Sequence, residues 1–210
     1  MLEYRFIFLI LVFLALFAKG GEVGYVLVQS CDDLTGQTDN TTGIYYMCNY
    51  CYNGYTFDCI GRIIQLFGPT SGSSSGDITN SGLSDSSLCD NSGYLNSWLT
   101  GQCVSGFVRT YFEQPENPIN SYIEDTFDDK CTDSSEDNSS GESNLIYRFY
   151  AQNGKCIYNS DYTIYNCFTN NNTIQIDYYY DSSCTTPTST IGLDFSKSCS
   201  TNTTILMYCS

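Results

Sequence analysis

Ile174-Gln175-Ile176-Asp177-Tyr178-Tyr179-Tyr180 runs directly into Asp181-Ser182-Ser183-Cys184, and this stretch decides the fold class. Its β-branched and aromatic residues suit a pleated strand, and Ile174, Ile176, Tyr178 and Tyr180 share one face at a period of two. The Asp-Ser-Ser segment is turn chemistry, because short polar side chains bond to nearby backbone. Further strands are expected over residues 188–195 and 204–209, flanking Cys199 and ending at Cys209.

The same order recurs upstream. Cys184, Cys199 and Cys209 are 15 and 10 positions apart, Cys31, Cys48 and Cys59 are 17 and 11 apart, and Cys131, Cys156 and Cys167 are 25 and 11 apart. Cys89 and Cys103, 14 apart, begin a copy whose third cysteine is missing. Strand-like runs accompany each copy: 25–28, 44–47 and 52–59; 60–67, 94–99 and 107–112; 121–127, 144–150 and 162–167. The reading is an all-β, disulfide-rich repeat protein, with four three-stranded repeats forming one or two small β-sandwiches. Residues 113–120, with Pro115 and Pro118, divide it into repeats 1 and 2 (21–118) and repeats 3 and 4 (119–210), which are expected to be separable. A Gly/Ser-rich surface loop is expected over 68–87.

Residues 1–20 match a signal peptide: a short basic lead, thirteen apolar residues over 6–18, then Gly20 and Gly21. Twelve cysteines then imply disulfides made in an oxidising compartment. Cys48-Asn49-Tyr50-Cys51 is a lone CxxC in a chain without histidine, so zinc lacks a ligand set. The favoured pairing joins first to second cysteine within each repeat: Cys31 to Cys48, Cys89 to Cys103, Cys131 to Cys156 and Cys184 to Cys199. Cys51 then closes with Cys59, and Cys167 with Cys209. A net charge of −15 argues against nucleic acid and anionic membrane surfaces. The expected product is secreted and extracellular, with no stable membrane insertion after signal cleavage and no cofactor.

Tyr178-x-Tyr180-Asp181-Ser182-Ser183-Cys184, a Thr-rich strand and Lys197-Ser198-Cys199 together resemble cysteine-repeat secreted proteins of free-living protists. A more distant similarity is to the βγ-crystallin motif, an aromatic-x-aromatic-acid corner followed by an aromatic and a glycine. Cys184 and Thr186 stand at those last two places. That resemblance implies a sandwich fold and calcium bound through an acid/amide and Ser segment, matched only partly by Asp32-Asp33-Leu34-Thr35 and Asp137-Asn138-Ser139-Ser140.

The absence of histidine excludes Ser-His-Asp and Cys-His catalysis. Carboxylate chemistry has Glu113, Glu116, Glu124 and Asp125 as candidates, in or beside the Pro-bearing spacer where solvated charge is ordinary. The acidic block Asp128, Asp129, Asp133, Glu136 and Asp137 lacks EF-hand spacing. No catalytic or metal residue is therefore assigned. Nineteen Tyr against one Trp is the stronger lead, and Trp98 and Tyr179 are the candidate ligand contacts. Glycosylation is expected at Asn40, Asn138, Asn171 and Asn202. The functional expectation is a secreted, non-catalytic binding module for a glycan or cell-surface protein. The alternatives are a structural coat component, a carboxylate-based hydrolase or a crystallin-like calcium binder.

Overall fold

The computed structural model describes residues 24–69, 89–90, 92–128, 144–159, 161–199 and 203–210. The signal segment 1–20, loop residues 70–87, Cys131, Asp129, Asp133, Glu136, Asp137, Asn138 and Asn202 lie outside the described residues. Among the described residues no helix is long and apolar enough to cross a membrane.

The chain is all-β and disulfide-rich. The first repeat forms β1 (Tyr25–Ser30), β2 (Thr42–Met47), β3 (Cys51–Tyr52) and β4 (Tyr55–Ile60). The second forms β5 (Ile63–Pro69), β6 (Ser92–Leu99), β7 (Cys103–Val104) and β8 (Phe107–Phe112). The third forms β9 (Ser121–Asp128), β10 (Asn144–Gln152), β11 (Cys156–Asn159) and β12 (Asp161–Phe168). The fourth forms β13 (Thr173–Tyr179), β14 (Ser189–Asp194), β15 (Ser196–Cys199) and β16 (Thr204–Cys209). Each repeat thus carries a fourth, short strand, β3, β7, β11 or β15, beside a cysteine. Strands this short bury little surface and leave almost no periodic signal.

Sheet order shows how the repeats interlock. Strands β3-β4-β5-β6 make one small sheet and β11-β12-β13-β14 a second. The remaining strands form one eight-stranded sheet, β15-β16-β9-β10-β2-β1-β8-β7. Each repeat gives its first two strands to one sheet and its last two to another. Antiparallel pairing of β2 with β10, from Tyr147 opposite Tyr46 to Ala151 opposite Thr42, carries the large sheet through both halves.

That crossing corrects the expected disulfides. Cys31 joins Cys103, Cys51 joins Cys89, and Cys156 joins Cys184. In each, the first cysteine of one repeat meets the short-strand cysteine of its neighbour. Cys31 cannot reach Cys48 because β1 and β2 are antiparallel, with Tyr25 opposite Met47, so the two cysteines lie beyond opposite ends of the pair. Cys103 has left for the large sheet while Cys89 stays beside the small one. Cys48 joins Cys59 rather than leaving Cys59 to Cys51. Cys167 joins Cys209, as in the favoured pairing. Cys48–Cys59 and Cys167–Cys209 each fasten a small sheet to the large one. Bridges of this kind contribute about 2–4 kcal/mol each by restricting the unfolded chain.

Three clusters fill the spaces around the large sheet. Tyr122, Phe149 and Ala151 pack against Ile157, Tyr165, Ile174 and Ile176 of the second small sheet. There the rings of Tyr122 and Tyr165 stack at 4.5 Å with 11° between planes. Val26 and Cys48 meet Ile64 of the first small sheet. On the outer face of the large sheet, Tyr25, Leu27, Tyr45, Ile123 and Tyr150 form the third cluster.

That outer face also holds a buried ion pair. Arg148 is 7% exposed and Asp125 3%. Arg148 donates from Nε and Nη2 to the two carboxylate oxygens of Asp125 at 2.6 and 2.7 Å. Its Nη1 reaches Asn117 Oδ1 at 2.6 Å and the Glu116 carbonyl at 3.0 Å, and the Tyr208 hydroxyl donates to Asp125 at 2.8 Å. The spacer between the halves is therefore held to the sheet by an arginine on a central strand.

Replacing Arg148 by Ala leaves Asp125 buried and charged without its cation. Equilibrium denaturation of Arg148→Ala should show a loss of about 3–5 kcal/mol; a loss under about 1 kcal/mol would contradict the packing described. Burial pushes the Tyr150 and Tyr208 hydroxyls up to about 12. A raised phenol pKa stabilises the fold fully below the ordinary Tyr value near 10, and that contribution is lost as pH rises through about 12. Phenolate absorbance should accordingly show a late group that titrates near pH 12 together with unfolding. Complete titration by about pH 11 with the fold intact would contradict this burial.

Candidate functional site

Between the inner face of the eight-stranded sheet and the first small sheet lies a cavity of about 600 Å³. The small sheet contributes Tyr52, Tyr55, Phe57, Leu66 and Trp98, with Asn53 at the turn joining β3 to β4. The large sheet contributes Val28, Tyr46 and Arg109 from the first half. Glu124, Thr126, Tyr147 and Ile205 come from the second half. Strand alternation puts these large-sheet residues on one face. The β2–β10 pairing brings the two groups into one wall.

Local sequence sets the aromatic wall. Asn53 and Gly54 both have positive φ, 49° and 86°, in a two-residue hairpin turn that suits this pair. The turn sends Tyr55 back across the sheet, where Gly68 makes room for its ring. A Cβ at Gly68 would lie 2.6 Å from Tyr55 Cδ1 and 2.7 Å from Leu95 Cδ1. Tyr46 is the hub, with ring centroids 5.1 Å from Tyr52, 5.2 Å from Phe57 and 5.6 Å from Tyr147. The register of β10 shifts between Leu145 and Tyr147. At this bulge the Ile146 carbonyl accepts a hydrogen bond from the Tyr52 hydroxyl, which itself accepts from the Met47 amide at 2.7 Å. One phenol thereby fixes the small sheet to both central strands. Burial raises the pKa of Tyr46, Tyr52 and Tyr147, so all three remain neutral hydrogen-bonding groups.

The polar groups sit towards opposite ends. Arg109 Cζ lies 3.8 Å from the centroid of the Trp98 ring, within cation–π range. Burial pulls the Arg109 pKa down, although an arginine stays charged throughout the ordinary pH range. Glu124 accepts a hydrogen bond from the Tyr122 hydroxyl at 3.0 Å. The registers place Arg109 opposite Val28, Val28 opposite Ile44, Ile44 opposite Phe149 and Phe149 opposite Glu124. Four strand spacings therefore separate the two backbones, about 19 Å. Between the charged ends the wall is largely aromatic.

Of the two ligand-contact candidates, Trp98 lines this cavity and Tyr179 does not. Arg109 covers one face of the Trp98 ring, so the indole acts there as a support for the guanidinium. Tyr179 is buried on β13 opposite Tyr162 in the second small sheet. The four carboxylate candidates are dispersed: Glu124 faces the cavity, Asp125 pairs with Arg148 on the other face, and Glu113 and Glu116 are exposed.

Asp32 is occupied by the Leu34 and Thr35 amides at 2.7 and 3.0 Å, which hold its carboxyl below the ordinary range. Among the described residues the one cluster with metal-ligand atoms is Cys31, Asp33 and Cys103, and its two sulfurs are bridged to each other. Asn40 and Asn171 are exposed. Arg109 had a signal in the sequence: in Phe107-Val108-Arg109-Thr110-Tyr111 a cation alternates onto the same face as two aromatics.

Comparison with known protein families, with curated proteins and with solved structures found no match.

Proposed function

We propose that the chain is a secreted, non-catalytic extracellular binding module that holds a glycan in the aromatic cavity. The observation that carries this reading is one space of about 600 Å³ in which Tyr46, Tyr52, Tyr55, Phe57 and Tyr147 face polar groups on Asn53, Arg109, Glu124 and Thr126. This volume falls in the range of small-ligand pockets, about 300–1,000 Å³. A sugar ring has an apolar face that packs on an aromatic ring and a rim of hydroxyls that need donors and acceptors. The cavity supplies both kinds of contact.

Glu124 is the one carboxylate among the lining residues. Acid–base hydrolysis of a glycosidic bond uses two carboxyl groups, so the lining supports retention of a glycan rather than its cleavage. Five disulfides among the described residues suit a protein made in an oxidising compartment. They also hold the walls of the cavity at fixed separation, which lowers the ordering cost of binding.

Trp98 is the sole tryptophan and lines the cavity, so its fluorescence reports occupancy directly. Glycans that score on an array should change that fluorescence on titration. Tyr55→Ala should weaken them about three- to tenfold, the worth of one aromatic face. Failure of the folded protein to bind any glycan, or full affinity in Tyr55→Ala, would contradict the reading.

A further inference from the structure

We propose that the cavity selects glycans with a single carboxylate-bearing sugar, whose acid group is received by Arg109 at the Trp98 end. The inference rests on the glycan reading and assigns the chemical class of the ligand. Its starting point is the contrast between two arginines of one strongly acidic chain. Arg148 is consumed by the fold: its donors reach both oxygens of Asp125, Asn117, the Glu116 carbonyl and, at 3.3 Å, Tyr208. The Arg109 guanidinium has one hydrogen bond among the described residues, a 3.4 Å contact from Nη1 to the Phe107 carbonyl. The ion pair found among the described residues is that of Arg148 with Asp125, so no described carboxylate neutralises Arg109.

A half-buried guanidinium without a counter-charge is unfavourable unless something else supplies the acceptor. Its plane offers five N–H donors in a fork that fits a carboxylate through two parallel bonds. Trp98 holds that plane from one side at 3.8 Å, and Phe107 lies 5.9 Å away. The remaining N–H edges are thus positioned by packing, and among the described residues none beyond the Phe107 carbonyl accepts from them. At the far end Glu124 repels a second acid group and accepts hydrogen bonds from hydroxyls. This polarity orients an acidic sugar with its carboxylate towards β8 and its neutral residues towards β9.

The overall charge narrows the class further. A net charge of −15 repels each negative ligand charge that comes within about 8 Å at physiological salt, so the cost is small for one carboxylate and grows with every further acid group. A glycan with one uronic-acid residue fits these conditions better than a sulfated or polyuronic chain.

Trisaccharides ending in glucuronic acid, their methyl esters, the matching glucose-ended forms and a glucose 6-sulfate form provide the probes. Trp98 fluorescence of the intact, disulfide-bonded protein gives the affinities. The acid should bind at least about tenfold more tightly than its ester or the neutral sugar, and Arg109→Gln should erase that difference. Equal binding of acid and ester by the unaltered protein overturns the proposal and leaves the glycan reading intact. So does tighter binding of the sulfate than of the carboxylate. Absence of binding to every saccharide overturns the glycan reading itself. The ester comparison on the unaltered protein decides the matter even if Arg109→Gln fails to fold.

Discussion

The antiparallel pairing of β2 with β10 is the constraint on which the rest of the structure depends. Without it the first and second halves would each present a four-stranded sheet with an open edge, exposing unpaired backbone donors and acceptors. With it, the inner face of one continuous sheet carries residues of both halves side by side. Tyr46 on β2 and Tyr147 on β10 are register partners, and their rings meet at 5.6 Å. The aromatic cavity is a property of the junction. Neither half has the full set of walls, because Arg109 and Trp98 belong to one and Glu124, Thr126 and Ile205 to the other.

Two features secure the junction from opposite faces. On the outer face, Arg148 grips Asp125 and the spacer at residues 116–117. On the inner face, the Tyr52 hydroxyl fills the hydrogen-bonding gap at the β10 bulge and ties the first small sheet to a strand of the second half. A buried charge and a buried phenol are costly when unsatisfied, so these contacts favour one arrangement of the halves over others of similar apolar burial. The five disulfides among the described residues do a different job: they join sheets and neighbouring repeats within each half, and none of the five crosses the junction.

Much of the strand content was legible because residues such as 174–180 and 204–209 are dense in β-branched and aromatic or other large apolar side chains. The cysteine spacing disclosed four repeats. It hid their interlocking, since spacing along the chain carries no information about which sheet a strand joins. The short strands at Cys51, Cys103, Cys156 and Cys199 were illegible for the same reason that they are short: two to four residues show no period. Trp98 was found because a lone Trp is conspicuous. Tyr179 was singled out by correct alternation, but beside the buried Asp177 it is itself buried and does not line the cavity. Arg109 and Arg148 both alternate with aromatic side chains in the sequence, and it is their partners among the described residues that tell the two cations apart.

The central claim, that the halves form one cooperative body around a shared cavity, is tested most directly by unfolding with two probes. The intact, disulfide-bonded protein is taken through guanidinium chloride. Trp98 fluorescence follows the first half, and hydrogen exchange of the β12 and β13 amides follows the second. A single body requires the two transitions to coincide in midpoint and steepness. Loss of the Trp98 signal while β12 and β13 stay protected would show two independent halves and contradict the account.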